Sequence, residues 1–182
     1  ADRTSRIKFL TLADARARRW TTDWSKAAIT KPSFLGVKEF EDYDLNDLTG
    51  RIDWTPFLMT WELKGKYPNI LTDPKVGQEA TKLFNDAKRM IQTVIAKKLL
   101  RANGIVGLFP ANSVDDDIEV YADDSRTRVL TTLHSLRQQS QKADDKPYLA
   151  QADFIAPKSS GVKDYVGVFA VTAGIGAEAL AA

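Results

Sequence analysis

An α+β fold, with a mostly antiparallel, twisted sheet packed with one long helix, is what the sequence predicts, on three observations. Apolar residues recur at helical spacing from Pro74 to about Arg101. Three β-rich runs then follow with no helix between them: GIVGLF (104–109), DIEVYA (117–122) and TRVLTTLHSL (127–136). Helices and hairpins are mixed along the chain rather than alternating, which sets it apart from a parallel βαβ sheet.

Residues 1–24 open polar and basic and read as a lead-in or interdomain linker. Within them Thr11 is the N-cap of a short helix, Leu12 to Arg19, whose Arg16, Arg18 and Arg19 face solvent. From residue 25 to 182 the pattern is that of a domain. Leu35, Val37 and Phe40 mark a short strand, and Asp44 is placed to cap a helix from Leu45. RIDWTPFLMTW (51–61) gathers two tryptophans, a phenylalanine, a methionine and a proline around one aspartate, and should be buried. Asp53 precedes Trp54, Thr55 and Pro56 as an N-cap would, and proline is tolerated in a first turn because its missing N–H would be unpaired anyway.

Asp73-Pro74 opens the long helix, and Val76, Ala80, Leu83, Phe84, Ala87, Ile91, Val94, Ile95 and Leu99 line its apolar face. At about 1.5 Å per residue it would run roughly 40 Å. Lys97, Lys98 and Arg101 suit the dipole at its end, and Asn103-Gly104 stops it. Further on, Ile118 and Val120 alternate with Glu119 and Tyr121, and DDSR (123–126) supplies an antiparallel turn. QQSQKADDKP (138–147) reads as an exposed loop, YLAQADFIAP (148–157) as a short helix, and DYVGVFAVTAG (164–174) as a buried strand.

Composition narrows the function classes. With 43% hydrophobic and 27% charged residues the chain can build one sizeable core under an ordinary surface. A net charge of +2, from 26 basic and 24 acidic residues, gives no field that would attract nucleic acid. The absence of cysteine removes disulfides, thiolate metal sites and cysteine nucleophiles. No apolar run approaches the roughly 20 residues that span a bilayer, and no signal peptide is legible, so a cytoplasmic protein is expected. The sequence starts at Ala1 without methionine and ends in GAEALAA without a helix stop, as a fragment of a longer chain would.

Few residues offer chemistry. The single histidine, His134, has no second histidine or carboxylate at ligand spacing and reads as structural. Asp115, Asp116 and Asp117 lack the staggered ligands of a Ca²⁺ loop and read as a turn or a charged strand edge. Gly167, Gly174 and Gly176 match neither a dinucleotide fingerprint nor a P-loop and read as a strand-to-helix turn. No nucleophile-elbow sequence accompanies His134, so no self-contained hydrolase is expected. Lys64 and Lys66, in KGKYP, form a small basic loop: a solvated turn, or a docking point for an acidic partner. Asp53 keeps two readings, a helix cap and an ionic partner for a ligand ammonium between Trp54, Phe57 and Trp61.

The wording of several blocks adds to this. IDWTPFLMTWELKGKYPNIL, VGQEATKLFNDAKRMI, GIVGLFPANSVDDDIEVY, HSLRQQ and ADFIAPKSSGVKDYVGVFAVTAG, in this order, resemble the activation (reactivation) domain of cobalamin-dependent methionine synthase. The resemblance covers about residues 34–174. It implies the N-terminal half of a larger C-shaped domain, since the family's R-P-A-x-G-Y motif does not occur in these 182 residues. It implies an enzyme that transfers a methyl group from methyltetrahydrofolate to homocysteine through cobalamin. In such an enzyme this domain binds S-adenosylmethionine, so that an electron passed to the oxidised cobalamin by flavodoxin or a related reductase can drive its remethylation. Asp53 matches the family's S-adenosylmethionine-binding aspartate; cobalamin belongs to another domain, and no catalytic or metal-binding residue is expected in this chain. The resemblance thus implies three partners or ligands: S-adenosylmethionine, the cobalamin-binding domain and the reductase.

Overall fold

The computed structural model describes residues 8–143 and 145–181. Its helices are α1 (Leu12–Ala17), α2 (Leu45–Thr49), α3 (Trp54–Thr60), α4 (Gly77–Ala96) and α5 (Ala177–Ala181). Its strands are β1 (Gly36–Phe40), β2 (Arg101–Val114), β3 (Asp117–Tyr121), β4 (Val129–His134) and β5 (Asp164–Ile175). They form a five-stranded sheet in the order β1-β2-β3-β4, with β5 pairing to β2. The expected mixture of helix with antiparallel sheet is present. By contact the chain divides into two compact units: one runs to Lys38 and resumes at Val106–Phe169, and the other comprises Glu39–Ile105 and continues from Ala170.

In the first unit β2 and β3 form an antiparallel hairpin, with Val114 opposite Asp117 and Ala111 opposite Val120. Asp115 and Asp116 are its two-residue turn, and Asp115 takes the positive φ of 54° that such turns demand. Pro110, with no N–H to give, lies just before the stretch paired to β3. The β3–β4 hairpin is antiparallel as well, with an irregularity at Val120/Tyr121. As the sequence predicts, DDSR turns the chain there: the Asp123 side chain accepts from the Ser125 N–H at 2.9 Å. Ala111, Ile118 and Ala152 form the small buried cluster beneath, flanked by Leu133, Ile155 and Val166.

Residues 8–24 are built into this unit. Lys8, Leu10 and Arg18 exchange main-chain hydrogen bonds with Gln141, Gln139 and Tyr148. Thr11 caps α1, but the helix ends at Ala17, two residues short of the expected Arg19. Arg16 and Arg19 are exposed as expected and Arg18 is half-buried; Arg16 also meets Asp116 at 2.8 Å, and Arg18 lies 5.0 Å over the Tyr148 ring. The 148–157 segment is helical only as a 3-10 turn, Gln151–Phe154.

In the second unit α4 packs on α2, α3 and a 3-10 turn at Asn69–Thr72. Leu58, Leu63, Ile70 and Ala80 are its core, with Phe57, Leu71, Val76 and Leu83 against it. The long helix is shorter than its apolar pattern. Asp73 does bind the N–H groups of Lys75 and Val76, at 2.8 and 3.1 Å, but these close a turn, and α4 begins only at Gly77. A Cβ at Gly77 would lie 2.8 Å from the Leu71 carbonyl oxygen, so only glycine lets the helix start so close to that turn.

The far end of α4 also departs from expectation. Lys98 turns left-handed at φ 51°, its N–H reaching the Ile95 carbonyl and that of Leu99 the Val94 carbonyl, the paired bonds of a Schellman stop. Asn103-Gly104 therefore lies in β2 and does not end the helix. Twenty residues make α4 roughly 30 Å long.

Two burial expectations fail. In 51–61 only Leu58 is fully buried, while Met59 and Trp61 are each 61% exposed. β5 is exposed along most of its length, with Phe169 at 76%. Gly176, at φ 103°, makes the expected strand-to-helix turn after β5. No helix among the described residues is long and apolar enough to cross a membrane.

Candidate functional site

Asp53 stands at the N-terminus of α3, and Oδ1 accepts from the Thr55 N–H at 3.0 Å. Pro56 occupies the first turn, where it forfeits no helical bond. The cap uses one carboxylate oxygen. Among the described residues the other takes no hydrogen bond, and the side chain is exposed. Asp44, which caps α2, is committed more deeply: the Asn46 N–H and then the Asn46 side-chain amide hold its carboxyl below the ordinary value.

On either side of Asp53 in the chain, Ile52 and Trp54 line a groove of about 500 Å³. Tyr67, Phe84, Lys88 and Ile91 form more of its wall. Trp54 stacks edge-on against Phe57, with ring centroids 5.7 Å apart, and against Phe84 at 4.8 Å, while Tyr67 lies 5.4 Å from Phe84. The aromatic side of the groove is therefore one contiguous cluster of rings. Trp61, read from the sequence as part of this wall, is the C-cap of α3 and is exposed, outside the ring cluster. It stands at the opposite end of α3 from Asp53, eight residues along the chain.

Thr55 ties the basic loop to this helix, its Oγ1 accepting from the Tyr67 N–H at 3.2 Å. Lys64 and Lys66 lie in that loop, exposed, and neither forms an ion pair among the described residues. Asp53 and the two lysines thus belong to one helix and the loop that follows it.

A denser electrostatic site, in the other unit, is one that sequence reasoning misses. Arg137 has a fully buried side chain. Its Nε and Nη2 donate to Asp116 Oδ1 at 3.0 and 2.6 Å, and Nη1 and Nη2 donate to Asp153 at 2.8 and 2.7 Å. Nη1 also donates to the Tyr148 carbonyl at 2.6 Å. Asp153 raises the Arg137 pKa further, burial opposes, and Asp116 adds to the rise, so the guanidinium stays charged. For Asp116, burial alone would push the carboxyl up, but hydrogen bonds from Arg137 and Arg16, with their charges, hold it below its ordinary value. HSLRQQ contains this arginine, but its partners lie too far along the chain for spacing to connect them.

His134 is not without a carboxylate: Nδ1 lies 2.9 Å from Oδ2 of Asp117, its cross-strand neighbour. Asp115 and Asp116 are turn residues, as expected. Among the described residues no three His, Cys, Asp or Glu side chains converge as metal ligands.

Residues 44–182 match the family model described as the vitamin B12 dependent methionine synthase activation domain. The chain belongs to that family. This activation-domain chain is also similar to a solved structure, the MetH reactivation domain bound to AdoHcy, at 48% identity and a TM-score of 0.84. The similarity covers 95% of this chain and 53% of that one, so the chain spans about half the length of that reactivation domain. Asp53, Lys64, Lys66 and Arg137 all lie inside the matched region.

Proposed function

We propose that this chain is the part of a methionine synthase reactivation module that holds the ammonium end of S-adenosylmethionine. When bound, that ligand supplies the methyl group for cobalamin carried by another domain of a cytoplasmic enzyme. Asp53 fixes the donor through its α-ammonium, and its helix-capping bond keeps the carboxylate from rotating. Ile52 and Trp54 shape the adjoining wall. Binding and orientation are the chain's whole contribution, because the chemistry belongs to the cofactor. The residues fit such a role, since one oxygen of an exposed carboxylate is unused by the cap, and its chain neighbours Ile52 and Trp54 line an aromatic groove. That unused oxygen is the observation that carries the reading. The AdoHcy bound to the solved relative, which is the donor without its methyl group, supports it.

Calorimetric titration of a complete reactivation domain carrying these residues tests the proposal. Loss of a charge-assisted hydrogen bond of about 1.5–3 kcal/mol should weaken S-adenosylmethionine roughly tenfold to a hundredfold in Asp53→Ala. Unchanged affinity would remove Asp53 from the site.

A second reading rests on Lys64 and Lys66, two exposed cations without acidic partners among the described residues. They suit steering of an acidic electron donor, flavodoxin or a related reductase, or docking of the cobalamin-binding domain. In that case the chain acts as an interaction module without binding ligand itself. Equal association rates at low and high salt would rule that reading out.

A further inference from the structure

The segment from Lys8 to Arg19 has little apolar reason to stay where it is. Ala15 is its only buried residue; Phe9 is 67% exposed and Leu12 41%. Its main-chain bonds to the rest of the unit sit near its two ends: at one, the Gln141 N–H reaches the Lys8 carbonyl at 2.8 Å, the Leu10 N–H the Gln139 carbonyl at 2.9 Å and the Gln139 side chain the Leu10 carbonyl at 2.9 Å, and at the other the Tyr148 N–H reaches the Arg18 carbonyl at 3.0 Å. Between them, one charged side chain reaches the buried charge cluster of the unit: Arg16, whose Nε donates to Asp116 Oδ2 at 2.8 Å.

That contact has an electrostatic logic. Arg137 is enclosed by two carboxylates, Asp116 and Asp153, whose side chains are 10% and 4% exposed. One arginine between two aspartates leaves a negative charge in excess, in a place with little water to spread it. Arg16, itself about half exposed, cancels that excess from the rim. Withdrawal is easy for the Arg16 guanidinium, which returns to water, and unfavourable for the cluster left behind.

We infer that residues 8–19 form a detachable strap latched by Arg16, and that the notch at Asp116 is a guanidinium-binding site which the strap fills in the closed state. Little apolar surface holds the strap, so it opens locally without unfolding the hairpin beneath it. Beyond the strap, Arg19–Thr22 and Trp24 line a cavity of about 600 Å³ together with Ser113–Asp115 and Pro157–Ser159. Opening the strap therefore frees the acidic notch. A small guanidinium compound can then occupy the place of Arg16. The strap does not depend on the methyl-donor reading of Asp53.

Amide hydrogen exchange on the whole chain tests it. In Arg16→Gln, exchange across residues 10–18 should rise at least tenfold, while β3 and the backbone around Arg137 keep their protection. Methylguanidinium at millimolar concentration should bind the variant and slow that exchange only if the strap recloses around it. Its binding should therefore be read directly by NMR shifts of the backbone amide at position 116, absent in the wild type and in Arg16→Gln/Asp116→Asn. Unchanged exchange in Arg16→Gln would overturn the latch. Equal loss of protection in β3 would overturn the detachable strap, and no shift at Asp116 would overturn the guanidinium site.

Discussion

Arg137 and Asp53 hold their charges in opposite ways. Arg137 is sealed inside its unit with its donors engaged by Asp116, Asp153 and the Tyr148 carbonyl. Asp53 lies at the surface of the other unit, commits one oxygen to the Thr55 N–H and keeps the second. A fully satisfied buried charge can stabilise a fold but has nothing left for a ligand. A half-used exposed carboxylate contributes little to the fold, and for that reason can serve a ligand without competing bonds.

The largest test of this contrast is Arg137→Ala, which strands two carboxylates in the interior. It should cost about 3–5 kcal/mol, read as a lowered urea midpoint. A loss below about 1 kcal/mol would mean that water reaches the cluster and that its burial is not decisive. Next in size is Asp53→Ala, which removes a cap and should cost about 1 kcal/mol in the same assay. Asp53→Asn should sharpen the comparison: an amide oxygen still caps, so stability stays near wild type while S-adenosylmethionine affinity in the complete domain falls.

Acid separates the two regions further. The Asp116 carboxyl titrates below its ordinary 3.8 in the folded state. Unfolding then takes up a proton as pH falls, so its share of stability is complete above 3.8 and is lost as pH drops through the lower folded value. Asp116→Asn should be less stable at neutral pH and flatten the acid limb of a stability–pH curve. The smallest effect belongs to Lys64→Glu with Lys66→Glu, where stability should stay within about 0.5 kcal/mol. If the loop steers an acidic donor, that pair should slow association at low salt and leave it unchanged at high salt.

What is legible in the sequence follows the range of the interaction. Thr11, Asp44 and Asp53 act on N–H groups two or three residues away, so each cap can be read from its neighbours. The β3–β4 turn is legible for the same reason. The end of α4 is not, because Lys98 looks like a cation suited to the helix dipole while its backbone turns left-handed. The apolar pattern runs on through Leu99, and β2 has already begun at Arg101. Arg137 is invisible because its carboxylates lie 21 and 16 residues away in sequence. The pairing of His134 with Asp117 requires the register of two strands. At the candidate site Asp53 and the basic loop can be found from sequence, but Trp61 is misplaced, since composition gives an aromatic residue no direction.

The open character of β5 has a practical consequence. Among the described residues it pairs only with β2, and from Tyr165 to Ile175 it carries no acidic or basic side chain, with Phe169 and Val171 largely uncovered. Such a ribbon lacks the lysines and prolines that discourage strand addition between molecules. Concentrated preparations of the chain should thicken into fibrillar precipitate with a lag that shortens on seeding, and a single lysine at Val171 should lengthen it.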